Sequence, residues 1–155
     1  LWTKDKLERQ LAIAERGADI VYCSYDFIDE QNKTIKKPFI VPQQTNFNKM
    51  LASSVISCST SFIKTELIAR HPFNPEFYHE DYVLWMELLK VCPTAYGDQE
   101  VLMHYRQVTG SRSNKKGNAA KERWNTYRKA LNLNALTSAW AFMRYAVRGV
   151  IKYYF

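Results

Sequence analysis

What this sequence lacks narrows the field first. It has three cysteines, Cys23, Cys58 and Cys92, far apart and in no Cys-x-x-Cys arrangement, so neither a disulfide framework nor a zinc knuckle is indicated. Reduced thiols in a cytoplasmic setting are the expectation. No stretch approaches the roughly 20 apolar residues that a membrane span requires, and the opening "LWTKDKLERQ" shows no charged-then-apolar leader pattern. Nothing is therefore expected to cross a bilayer. No segment repeats, and none reads as a helix-turn-helix, zinc finger or RNA-recognition element, which argues against nucleic acid as the partner. Acidic residues are almost missing from the last part of the chain. Residues 112–155 hold 10 Lys/Arg against 1 Asp/Glu, a balance of +9, whereas residues 1–111 hold 12 against 14. Such asymmetry points the tail toward a polyanion, foremost an anionic membrane surface.

What is present suffices for one domain: 155 residues at 46% hydrophobic content can bury a real core. Leu7, Leu11 and Ala14 recur at helical spacing between Thr3 and Arg16, with Gly17 behind them, which predicts an amphipathic helix packed on that apolar face and capped by the glycine. "ADIVYCSY" reads as a buried strand, residues 34–41 as a more polar one, and "TNFNKMLAS" as a short helix capped by Thr45 or Asn46. Residues 55–64, "VISCSTSFIK", are expected to form a strand lined with small hydroxyl side chains. After a brief helix in "TELIARH", the Pro- and aromatic-rich "PFNPEFYHE" leads to a helix from about Asp81 to Val91, and "TAYGDQEVLMHYR" to a strand ending at Arg106. The polar, basic residues 107–118 read as a loop, and the rest as helices broken near residues 132–134. Helix followed by buried strand is an α/β signature.

The segment "EFYHEDYVLWMELLK" poses the functional question. Glu80 and Asp81 stand where a polar loop becomes a helix. Two acids in a first helical turn can simply favour the helix dipole, at about 0.3–1 kcal/mol each. A carboxylate at that place can equally serve as a general base, kept ionised by the same dipole. Leu84, Trp85, Leu88 and Leu89 follow at helical spacing and read as core. His79 is adjacent, but His71 and His104 share no ligand spacing with it, and no metal site is expected.

The combination of "HEDYVLWMELLK", "SCSTSFIKTELI", "VLMHYRQVTGSRS" and the opening "LWTKDKLERQL" resembles the bacterial family 2 glycosyltransferases, nucleotide-sugar enzymes of the GT-A fold. The resemblance covers residues 1 to about 130. It implies a partial GT-A fold, a mixed sheet with flanking helices, over residues 1–118, with a basic, aromatic helical extension over 119–155. In that family an aspartate-rich motif is followed by Leu/Ile-Trp and Lys-Leu-Glu-x-Gln, so Leu1-Trp2 and Lys6-Leu7-Glu8-Arg9-Gln10 suggest a stretch beginning just after the metal-binding aspartates. The resemblance implies an inverting transfer from a nucleotide-sugar donor, UDP-sugar first, to a glycan or lipid-linked acceptor in surface polysaccharide synthesis. Asp81 is the implied base, with Glu80 orienting the acceptor or tuning its charge. Ser59 and Thr60 are implied to face acceptor or sugar, and Arg106, Ser111 and Ser113, with Arg112, to close over the diphosphate. A divalent metal, Mg or Mn, is expected in the full-length enzyme, its ligands outside this stretch; the stretch alone is expected to be inactive.

In "AWAFMRYAVRGVIKYYF", Trp140, Met143, Val147, Val150, Ile151 and Tyr154 fall near one helical face, while Arg144, Arg148 and Lys152 repeat every four residues. Aromatics and long cations suit a headgroup boundary, and an apolar stripe suits docking on the domain's own core; the sequence supports both. The first would make the protein peripheral at the inner face of the cytoplasmic membrane. The alternative to an enzyme is a non-catalytic module binding an anionic membrane or polymer through residues 112–155, with the acidic pair purely structural.

Overall fold

The computed structural model describes residues 1–108 and 119–154. In chain order its elements are α1 (Lys6–Ala14), β1 (Ile20–Ile28), β2 (Thr34–Phe39), β3 (Gln44–Thr45), α2 (Phe47–Ala52), a 3₁₀ turn (Cys58–Thr60), β4 (Phe62–Ile63), α3 (Thr65–Arg70), α4 (Glu80–Val91), β5 (Ala95–Arg106), α5 (Ala119–Asn125), a π-helical turn (Thr126–Ala130) and α6 (Ala135–Tyr154). The five strands form one mixed sheet flanked by helices, the α/β architecture that the sequence indicates.

β1 and β5 are parallel neighbours, paired from Val21 opposite Tyr96 to Ile28 opposite Arg106, with the register shifting on either side of Ser24. Ile20, Val21, Tyr22 and Cys23 are buried, as a continuous apolar run in a strand covered on both faces requires. β2 and β4 pair antiparallel with β1, β2 along its end and β4 along its start. β3 pairs with the start of β5, and Trp2 bridges to Met103 further along that strand. Gly97 is fixed by packing: its N–H donates to Gln43 O at 2.8 Å, and a Cβ there would lie 2.2 Å from Pro42 O.

α4 returns the chain to β5. Tyr82 to Met86, Leu88 and Leu89 are all buried, so Leu84, Trp85, Leu88 and Leu89 are core, as their spacing predicts. Tyr127, Leu131 and Ala141 join the same cluster, so residues beyond 118 complete the core begun before it. Asn46 caps α2 by accepting from Lys49 N–H at 3.0 Å, Gly17 has φ 98°, and the break between the last helices falls at Asn132, with φ 52°.

Two expectations fail. Residues 55–64 are not a continuous strand: Thr60 Oγ1 donates to Ser57 O at 2.8 Å and accepts from Ser57 N–H at 3.2 Å, which winds Cys58–Thr60 into a turn and leaves only Phe62–Ile63 extended. α1 packs by its polar side. Lys6 and Gln10 are fully buried while Leu7 and Leu11 are about half exposed, at 49% and 48%. Gln10 Nε2 donates to Thr60 O at 2.8 Å, Lys6 Nζ donates to Gln10 Oε1 at 2.5 Å, and the ammonium lies 4.2 Å from the centre of the Trp2 ring. Burial lowers the Lys6 pKa; hydrogen bonding satisfies groups whose burial would otherwise be costly.

Stability should follow this division. Leu88→Ala, in a fully buried site, is expected to cost about 2–5 kcal/mol, whereas Leu11→Ala should cost less than about 1 kcal/mol. Gly97→Ala should cost about 1–3 kcal/mol by overpacking against the Pro42 carbonyl. Urea melts of the three variants check all three values.

Candidate active site

The acidic pair begins α4, and both carboxylates are half-buried. His79 occupies the N-cap position without a side-chain cap bond. Asp81 Oδ1 accepts from Tyr82 N–H at 2.8 Å. Asp81 therefore uses one oxygen locally, and among the described residues no cation lies within ion-pair distance of Asp81 or Glu80. Among the described residues the pair is not consumed by capping or by a salt bridge.

Tyr82, next to the pair, anchors the helix start from below. Its hydroxyl donates to Met50 O at 3.0 Å, and the Arg123 guanidinium lies 3.9 Å from the centre of its ring and 4.6 Å from that of Tyr145. Burial raises the Tyr82 pKa, with the Arg123 charge opposing. Arg123 is buried, and its Nη1 has no hydrogen-bond partner among the described residues. A guanidinium held among tyrosine rings gains cation–π attraction, which joins the C-terminal helices to the acid-bearing one.

Beside the pair runs the Cys58–Thr60 turn. The Cys58 thiol is pushed up from its ordinary value, first by partial enclosure and then by the Asp81 and Glu80 carboxylates, so the turn shares their field. Ser59 is exposed and its carbonyl accepts from Trp2 Nε1 at 2.8 Å. Thr60 is fully buried with its hydroxyl committed to Ser57, so it shapes the turn from behind.

Ser59 and Arg106, predicted from separate motifs, come together in an open cleft of ≈ 520 Å³ lined also by Leu1, Trp2, Met103, His104 and Tyr105. Arg106 Nη2 donates to Asn32 Oδ1 at 2.5 Å, which holds its exposed guanidinium at the end of β5. Ser111, Arg112 and Ser113 lie outside the described residues.

Sequence reasoning missed Trp2, Asp26, His104 and Arg123. His104 Nδ1 is 2.7 Å from Asp26 Oδ1; the two are register partners across β1 and β5, 78 positions apart, and only knowledge of that pairing would have joined them. A histidine oriented by a carboxylate is suited to polar recognition or proton handling. Among the described residues no group of three His, Cys, Asp or Glu side chains is placed to hold a metal, so the site offers no cation cage of its own.

The cleft presents an exposed guanidinium and a carboxylate-paired histidine, and the chain's relatives are glycosyltransferases. With TuaG of Bacillus subtilis, a glycosyltransferase assigned by name to teichuronic acid biosynthesis, the chain shares 32% identity over 152 residues, 97% of this chain and 60% of that protein. With WfgD of Escherichia coli, a UDP-Glc:alpha-D-GlcNAc-diphosphoundecaprenol beta-1,3-glucosyltransferase, identity is 29% over 158 residues, 100% of this chain and 60% of the relative. WfaP of Escherichia coli carries the same description, at 29% over 157 residues, 99% of this chain and 60% of the relative. No family model matches the chain. The chain spans about 60% of the length of these relatives.

If Asp81 faces the turn as described, Asp81→Asn should lower the Cys58 pKa. At a fixed pH below that pKa, more thiolate forms, and alkylation of Cys58 should accelerate by about two- to threefold. Peptide-resolved mass spectrometry separates Cys58 from buried Cys23 and half-buried Cys92; an unchanged rate would place Asp81 away from the turn.

Proposed function

We propose that this chain is the acceptor-side part of an inverting glycosyltransferase that moves a sugar from a nucleotide-sugar donor, a UDP-sugar first, to a glycan or lipid-linked acceptor in surface polysaccharide synthesis. What supports the proposal is the cleft that Ser59 shares with Arg106 and His104, on a turn whose Cys58 feels the Asp81 and Glu80 carboxylates, a pair with no ion-pair partner among the described residues. Descriptions of WfgD and WfaP, which name UDP-Glc and a diphosphoundecaprenol-linked sugar, support the donor and acceptor classes. The setting is the cytoplasmic side of the membrane, where a nucleotide-sugar and a lipid-linked acceptor can meet.

In this reading Asp81 takes the proton from the acceptor hydroxyl as that oxygen bonds the anomeric carbon. The bond from that carbon to the diphosphate oxygen breaks on the opposite face, and the electron pair leaves with the diphosphate. Inversion follows from the single displacement, and one base suffices. Glu80 orients the acceptor, Ser59 lies along its path, and Arg106 receives leaving-group charge through guanidinium donors. Ser111 and Ser113 are assigned to the same diphosphate by the motif alone. A divalent cation, Mg or Mn, would need ligands from the rest of the enzyme, because the described residues provide no set for it, and no step above is routed through one. The stretch alone should not turn over.

In a full-length enzyme carrying this segment, Asp81→Asn should lower turnover by about 10²–10⁴-fold with donor affinity nearly unchanged. Arg106→Ala should weaken donor binding as well as turnover. Release of nucleoside diphosphate, read with calorimetric donor titration, checks both. Near-normal turnover of Asp81→Asn at saturating substrates would remove it as the base.

A further inference from the structure

α6 has two differently occupied sides. Ser138 and Ala141 are fully buried, Phe142 packs against the central cluster, and the Tyr145 ring takes part in the Arg123 cage. The domain-facing side is thus satisfied. Leu136, Trp140, Met143 and Val147 recur at four, three and four residues along another side, and they are 85%, 51%, 57% and 53% exposed. An amphipathic helix ordinarily spends its one apolar stripe on the core; here a second stripe remains after the core contact is made.

The charge around this stripe selects its occupant. α6 contains Arg144, Arg148 and Lys152 and no acidic residue, and the last acid of the chain is Glu122. Arg144 lies 4.4 Å from the centre of the Trp140 ring, so an exposed aromatic and a cation are presented together. A second copy of the chain would bring equally basic helices into contact, which repel. A nucleic acid would satisfy the cations and leave the stripe in water. A bilayer with anionic headgroups satisfies both, its phosphates meeting the cations and its acyl boundary the apolar side chains. Among the described residues no helix is long and apolar enough to cross a membrane, so α6 would lie on such a surface rather than through it.

We propose that the outer stripe of α6, Leu136, Trp140, Met143 and Val147 with Arg144 beside them, docks the protein on an anionic lipid surface. This inference goes beyond the transferase reading and stands or falls separately from it. The test is sedimentation of the protein with vesicles of phosphatidylcholine alone and of phosphatidylcholine with phosphatidylglycerol, at low and high salt, together with size-exclusion chromatography and a thermal melt. The protein is expected to bind the anionic vesicles, more weakly at high salt. Trp140→Gln combined with Met143→Gln should weaken that binding by about tenfold or more while leaving the melting temperature nearly unchanged, because both side chains are exposed. Arg144→Gln should weaken it by about three- to fivefold at low salt and less at high salt. Equal binding by the double variant would overturn the proposal, as would equal binding to neutral and anionic vesicles. A large fall in melting temperature in the double variant would show that the stripe is packed within the protein, and loss of a dimer would show that it meets a second copy; either result also overturns the proposal.

Discussion

The parallel pairing of β1 with β5 constrains everything that surrounds the candidate site. Parallel neighbours cannot be joined by a tight turn, so the chain between them must travel back to the sheet's starting end, and α4 supplies the final leg of that return. A helix in such a crossover runs opposite to the strands it connects. Its first turn, with Glu80 and Asp81, therefore falls toward the end of the sheet where β1 and β5 finish. The same pairing brings Asp26 opposite His104 and Ile28 opposite Arg106 at that end. Open α/β sheets place ligands beyond the carboxyl ends of their strands for this geometric reason. His104 and Arg106 meet Asp26 and Ile28 at that end because of strand direction, although the two strands come from distant parts of the sequence.

A second constraint is polar. The buried Lys6–Gln10 pair reaches the Thr60 carbonyl, Trp2 holds the Ser59 carbonyl, and Arg9 clamps Asp98 through two bonds of 2.9 and 3.1 Å. Together these fix α1, the Cys58–Thr60 turn and β5 relative to one another. Hydrogen bonds do this better than apolar contact alone, because their direction defines where a backbone turn must sit. The Cys58–Thr60 turn is held by side chains 57 and 50 positions earlier in the chain, Trp2 and Gln10, not by its own strand propensity.

Much of the architecture was legible because it rests on local pattern. The apolar run at Ile20–Cys23, the Asn46 cap, the core spacing of Leu84, Trp85, Leu88 and Leu89, and the end of β5 at Arg106 all survive in the structure. The failures share a cause. Apolar periodicity assigns Leu7 and Leu11 inward because it assumes that polar side chains face water, and it cannot see that Gln10 has a buried carbonyl waiting for it. Strand propensity in residues 55–64 counts Thr60 as β-branched and overlooks the bond that its hydroxyl makes to Ser57. The Asp26–His104 contact and the Arg123 cage are tertiary and have no local signature. The acidic pair was found through its motif, while its lack of an ion-pair partner among the described residues could be read only from the structure.

Two apolar surfaces remain open among the described residues, and their electrostatic surroundings distinguish them. Leu11 and Ala14 line a groove with Phe62 and Ile63, and its rim carries both signs of charge, Glu15, Asp19 and Glu66 with Lys64. The stripe on α6 is different in kind, because its helix carries cations alone. A folded partner would need a matching acidic surface at that place, whereas a bilayer supplies apolar depth and diffuse negative charge together and requires no specific register. Hydrophobic exposure alone does not separate the two surfaces; the sign of the neighbouring charge does.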